Sequence, residues 1–247
     1  MKRKAIKFFS FSVGSILLFM VLLNSHLRNS ATDEYYISQF LNDWRLSDQV
    51  STAHTSFENE IAFISRLQDS TLQTIAMGDV DPANATSMEF YYHNRVGLCF
   101  NRAFFQEKIL KYAGFQTRHV FIYFKEDESN VRTSDFLNRR LRSHAMFEVK
   151  TSRGWMAVET NSNWLALDKH NNPMTMQDIK DRLANNQLEY AKAPTIGHIF
   201  YNEIPIHSNF KFMYGVYSRH GNYLSSGALE SLPAVPDYDL SELWYNL

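Results

Sequence analysis

The chain has 247 residues, a length that fits one domain of about 200 residues with a short appendage. Hydrophobic residues make up 45% of it and aromatic residues 15%, which is enough for a large core. A formal net charge of −1 gives no reason to propose a nucleic-acid partner. Cys99 is the sole cysteine, which excludes an internal disulfide and a cysteine-rich zinc site. The sequence indicates no metal and no other cofactor.

The amino end has the pattern of an export signal. Four of the first seven residues are basic, and an uncharged apolar run follows over residues 8–23. Because no small-residue cleavage site comes after the run, an uncleaved anchor over residues 1–28 is favoured over a removed signal peptide. The positive-inside rule leaves the basic end in the cytoplasm. We therefore expect a single-pass protein of the inner (cytoplasmic) membrane, with residues 29–247 forming one domain in the periplasm or another extracytoplasmic space.

Residues 32–95 are predicted to be helical. Their apolar residues recur with helical spacing, and Thr55–Glu58 has the spacing of a capping box. The segment Gly78–Pro82 interrupts the pattern. Tyr91–His93 could line the approach to the cysteine that follows or could belong to the core. Most of this region is expected to contribute side chains to the hydrophobic core.

Cys99 is predicted to lie at the start of a helix. Gly97 would allow a tight turn into that helix, and Gly114 would end it as the first residue beyond the cap. A thiol at this position would lie among unpaired backbone N–H groups at the positive end of the helix dipole, which favours the thiolate. The alternative is a small, buried, apolar cysteine.

The residues after this helix predict an antiparallel sheet. Thr117–Phe124 is rich in strand-forming residues, and the segments 143–150 and 155–161 flank the turn-forming residues 151–154. With a loop of two or four residues, 150 pairs with 155, 146 with 159, and 144 with 161; an odd loop would break this register. One face of the hairpin would then be apolar core. The other would carry Met146, Glu148 and Ala157 together with His144, Glu159 and Asn161.

These polar residues could supply a nucleophilic site. A nucleophile needs a base, and the base needs an acceptor that orients it and stabilises the imidazolium. Cys99 and His144 are the candidate nucleophile and base. In the predicted register Asn161 lies directly opposite His144, and Glu159 lies one diagonal step away.

On these residues the sequence resembles the transglutaminase-like superfamily, a branch of the papain-like cysteine enzymes, and in particular a bacterial membrane-anchored member. The resemblance runs through Gly97–Ala103, the strand that follows, His144–Val149 and Gly154–Glu159. It implies that Cys99 is the nucleophile and His144 the base. The family usually has an aspartate followed by proline as the third group, whereas this chain has Glu159 followed by threonine. Either Glu159 or Asn161 could therefore hold the histidine.

The resemblance implies an α+β fold with a papain-like or transglutaminase-like core at about residues 90–165, in which the cysteine-bearing helix packs on an antiparallel sheet. Residues 166–247 would be carboxyl-terminal decoration. Within them, Thr175–Asp178 is predicted to cap a helix that runs to Leu188, whereas His198, His207 and His220 lack the spacing of metal ligands.

The expected activity is attack on an amide or peptide bond of a protein or peptide substrate through a thioester intermediate. The Cys99 backbone N–H would help to stabilise the oxyanion. Water as acceptor gives a protease or amidase, and an amine gives a transglutaminase; hydrolysis is favoured because no acceptor-amine site is visible. The alternative is a catalytically inactive envelope-binding module that keeps the fold.

Overall fold

A computed structural model describes the body of the chain in five stretches: residues 29–125, 130–131, 142–185, 187–191 and 210–214. The predicted anchor and the histidines at positions 198, 207 and 220 lie outside these stretches. Within the described residues, no helix combines the length and the apolar character needed to cross a membrane.

The amino-terminal half is helical, as predicted. Its α-helices are α1 (Ala31–Asp43), α2 (Ser47–Val50), α3 (Phe57–Thr74) and α4 (Met88–Asn94), with 3₁₀ turns at Ala53–Thr55 and Pro82–Asn84. The predicted cap of α3 is displaced by one residue. Ser56, not Thr55, is the capping residue, because its hydroxyl accepts a hydrogen bond from the Asn59 N–H at 3.2 Å.

Helix α5 (Cys99–Tyr112) lies at the centre of the molecule and begins at the cysteine, as predicted. Gly114 ends it with a φ of +91°, which confirms the predicted stop. Gly97, by contrast, does not adopt a positive φ. A Cβ at Gly97 would lie 2.9 Å from the Asn101 Cβ and 3.5 Å from the Ile75 Cγ2. Close packing therefore explains the glycine.

Helix α5 packs on a sheet whose described strands are β1 (Thr117–Phe124), β2 (Arg142–Thr151), β3 (Gly154–Val158) and β4 (Lys211–Tyr214). All pairings are antiparallel, in the order β3-β2-β1-β4. The hairpin register is the predicted one: Lys150 pairs with Trp155 and Thr151 with Gly154, which leaves a loop of two residues. The β2–β3 ladder ends at the pair Phe147 and Val158, so the predicted pairs 146 with 159 and 144 with 161 do not form. The Glu159 N–H donates instead to the Trp164 carbonyl at 3.1 Å, and residues 159 and 161 follow the paired strand.

Both faces of the sheet are buried. The face predicted to be core packs on α5, where His119 Nδ1 lies 2.6 Å from Glu107 Oε1. The opposite face carries Glu148, which accepts hydrogen bonds from Arg118 Nε at 2.8 Å and from the Met176 N–H at 2.7 Å. Met176 begins helix α6 (Met176–Ala184), which has the predicted capping box but ends before Leu188. The fold is thus α+β, with a central helix against an antiparallel sheet.

Candidate active site

The start of helix α5 is held firmly by its neighbours. Asn101 Oδ1 accepts a hydrogen bond from the Leu98 N–H at 3.0 Å, and Asn101 Nδ2 donates to the Tyr91 hydroxyl at 3.0 Å. Tyr91 is fully buried, so it belongs to the core and not to the approach to the cysteine. Cys99 is the first helical residue, where backbone N–H groups have no acceptor within the helix.

The end of the β2–β3 ladder brings β2 against this helix start. Past the last ladder pair, the Ala145 carbonyl accepts a hydrogen bond from Thr160 Oγ1 at 2.7 Å. The Cys99 thiol interacts electrostatically with the Ala145 N–H and with the His144 side chain. The thiol is half-buried, whereas the imidazole is buried.

Glu159 holds the far side of the imidazole. His144 Nε2 donates to Glu159 Oε1 at 2.7 Å, so Nδ1 is the ring nitrogen that is not used by this carboxylate. The same carboxylate oxygen accepts the backbone N–H groups of Thr160 and Asn161, both at 2.9 Å. The Asn161 side chain turns elsewhere, because its Oδ1 accepts from Arg102 Nη1 at 3.3 Å. In this geometry the orienting acceptor is Glu159, and Asn161 supports it through its backbone.

The imidazolium of His144 stabilises the negative charges of both Cys99 and Glu159, although the Glu159 carboxylate by itself opposes the thiolate. Burial alone would raise the pKa of the Cys99 thiol, but the hydrogen bond and charge of His144 and the Ala145 N–H bring that pKa below its ordinary value. Burial alone would lower the pKa of His144, but the Glu159 carboxylate and the thiolate raise it to about 10. Burial works against ionisation of Glu159 too, yet His144 and the two backbone N–H groups lower its pKa. The arrangement stabilises a thiolate–imidazolium pair.

Two residues that sequence reasoning did not select complete the site. Gln68, in α3, donates from Nε2 to the carbonyl oxygens of Glu159 at 2.6 Å and Trp164 at 3.0 Å. It thereby fixes the turn that presents the carboxylate, and no local pattern marks it. Arg102 is a buried cation one helical turn after Cys99, and that spacing is the signal that could have identified it.

The described residues contain no group of three or more histidine, cysteine, aspartate and glutamate side chains placed to hold a metal ion. Comparison with family models, curated proteins and solved structures found no match to this chain. The functional interpretation therefore depends on the geometry of Cys99, His144 and Glu159.

Proposed function

We propose that this protein is a cysteine hydrolase of the transglutaminase-like type, which cleaves amide or peptide bonds in a protein or peptide substrate. One observation carries the proposal. Cys99, at the start of a buried helix, interacts electrostatically with His144, and Glu159 Oε1 lies 2.7 Å from Nε2 of that imidazole. A nucleophile, a base and an orienting carboxylate are the parts that acyl transfer requires.

In the first half-reaction the Cys99 thiolate attacks the carbonyl carbon and forms a C–S bond, and the carbonyl electrons move to the oxygen. The Cys99 N–H, at the start of α5, is placed to donate to that oxyanion. Collapse of the tetrahedral intermediate breaks the C–N bond, and His144 gives its proton to the departing amine. A thioester on Cys99 and a neutral His144 remain.

In the second half-reaction His144 takes a proton from water, whose oxygen attacks the thioester carbon. The C–S bond breaks, the acid product leaves, and the thiolate–imidazolium pair is restored. Glu159 stays ionised throughout and stabilises the imidazolium whenever it forms. An amine in place of water would make the reaction a transamidation. Hydrolysis in heavy-oxygen water places the label in the new carboxyl group, whereas transamidation leaves the product unlabelled.

The first test is the reactivity of Cys99 in the folded full-length chain. Iodoacetamide should alkylate it rapidly at about pH 6, because a thiolate beside an imidazolium persists well below the usual thiol pKa of about 8.5. His144→Ala should slow the reaction, and His170→Ala, which changes an exposed histidine outside the site, should not. Since Cys99 is the sole cysteine, intact mass measures the reaction without ambiguity.

The rival function is an envelope-binding module that keeps the fold without the chemistry, and the replacement of the usual aspartate by Glu159 favours it. That function predicts labelling of Cys99 only after unfolding. It also predicts that Cys99→Ser retains the assayed function. The proposed hydrolase predicts instead that Cys99→Ser loses turnover with little change in melting temperature, because the two side chains are close in volume.

The proposed location follows from the amino-terminal pattern. Residues 8–23 would anchor the protein in the inner membrane, with the catalytic body outside the cytoplasm. A reporter that is active only after export, fused beyond residue 40, should be active. A signal from a cytoplasmic-type reporter at the same position would contradict this topology.

A further inference from the structure

Arg102 is an unusual cation for the place it occupies. Only 5% of it is exposed, yet among the described residues it forms no salt bridge with a carboxylate. Its Nη1 donates to Asn161 Oδ1 at 3.3 Å and its Nη2 to the Ile75 carbonyl at 2.5 Å. Burying a cation without a compensating anion is strongly unfavourable, because the lost hydration is not replaced. Some nearby negative charge should therefore offset it.

The candidate site contains that charge. With Cys99 as thiolate, His144 as imidazolium and Glu159 as carboxylate, the three groups together carry one excess negative charge. Arg102 lies one helical turn from Cys99 and interacts electrostatically with both Cys99 and Glu159. Adding the guanidinium makes the buried group neutral.

We propose that Arg102 is a positioning residue of the active site, which balances the charge of Glu159 and holds the Asn161 segment that fixes this carboxylate. The inference rests on the proposed function, since it assigns a task to Arg102 within the same site. A third group that is an amide would need no such partner, whereas a carboxylate does. Arg102 thus accounts for how this chain tolerates a buried glutamate behind its catalytic histidine.

The mechanical part of this role runs through Asn161. Arg102 binds the Asn161 side chain, and the Asn161 N–H donates to Glu159 Oε1 at 2.9 Å. The Arg102 N–H bonds to the Leu98 carbonyl at 2.9 Å and so belongs to the first turn of the cysteine helix. One side chain therefore couples the element that bears the nucleophile to the turn that bears the carboxylate.

The charge balance holds through the reaction. Acylation removes the negative charge of the thiolate and the positive charge of His144 together, because the imidazolium proton leaves with the amine. The charge of Glu159 does not change, and neither does that of Arg102. The guanidinium is thus matched to the one anion that stays buried in every step.

The test compares Arg102→Met, which removes the charge, with Arg102→Lys, which keeps it. Loss of the guanidinium should raise the pKa of Cys99, moving the midpoint of the alkylation profile upward by about half to one pH unit and slowing the rising part of that profile about 3- to 10-fold. The alkylation profile of Arg102→Lys should lie close to that of the unsubstituted protein. If both variants slow alkylation equally and the midpoint of the pH profile does not change, Arg102 has only a packing role and the proposal is overturned.

A double-mutant cycle makes the inference independent of thiol reactivity. If Arg102 balances Glu159, Arg102→Met should lower the melting temperature less in a Glu159→Gln background than in the unsubstituted chain. Additive effects would overturn the proposal even if Cys99 proves reactive. Conversely, a coupled pair in a chain whose folded thiol is inert would refute the proposed hydrolase and leave the charge pairing standing. If Arg102→Met does not fold, Arg102→Gln supplies the neutral variant for both measurements.

Discussion

Replacing Glu159 by glutamine tests the electrostatic reasoning with a small change of shape. The Glu159 Oε1 atom accepts from His144 Nε2 at 2.7 Å and from two backbone N–H groups at 2.9 Å. A glutamine side chain can place its amide oxygen at the same point and keep all three hydrogen bonds. What it loses is the negative charge that raises the pKa of His144.

The expected effect follows from the strength of a charge-assisted hydrogen bond in a buried setting. Such a bond contributes about 1.5–3 kcal/mol, compared with about 1 kcal/mol for a neutral one. The difference is about 0.5–2 kcal/mol. If it appears in the stability of the thiolate–imidazolium pair, alkylation of Cys99 at about pH 6 should slow roughly 2- to 30-fold. Turnover should fall at least as much, because in the proposed mechanism the imidazolium also protonates the leaving amine.

Asn161→Ala is the matched control. Its side chain contacts Arg102 through a single hydrogen bond of 3.3 Å. The alkylation rate and turnover of this variant should therefore fall by at most about threefold. Both variants are compared by alkylation rate and by turnover after their melting temperatures have been measured. A larger effect of Asn161→Ala would transfer the orienting role to Asn161. Negligible effects of both substitutions would remove both residues from the mechanism.

Three further outcomes are expected. Turnover should decline as the pH approaches about 10, because His144 then loses the proton that the proposed mechanism gives to the amine. A pH–rate profile that stays flat through this range would contradict the assignment. Arg118→Met should destabilise the fold by about 3–5 kcal/mol in chemical denaturation, since it leaves Glu148 buried without its cation, and an effect as small as that of an exposed arginine would refute this. Gly97→Ala should cost about 1–3 kcal/mol by the same measurement, because its Cβ would overlap Asn101, and an unchanged midpoint would show that the helix start can shift.

Several features could be predicted from the sequence because local chemistry decides them. The start of α5 at Cys99 follows from the apolar spacing behind it, and its end follows from Gly114, which adopts the positive φ that favours glycine. The strand Thr117–Phe124 and the hairpin register were predicted from strand-forming residues and from the turn at Ser152 and Arg153. A register error of one residue would have placed His144 and Glu159 on opposite faces.

Other features depend on contacts between segments that are distant in the sequence. The alternation along the hairpin separated a polar from an apolar face, but only the packing of α6 shows that the polar face is buried too. The contributions of Gln68 and Arg102 are likewise tertiary, since each reaches a carbonyl or side chain from another part of the chain.

The sequence by itself determined the candidates for the site, because the residue types and the strand period placed His144, Glu159 and Asn161 on one face. It could not choose between the last two. The tertiary structure makes that choice because β3 ends at Val158 and the following turn folds back under Gln68. The turn directs the Glu159 carboxylate to His144 and the Asn161 amide to Arg102, which offers a buried donor that no strand pattern could reveal.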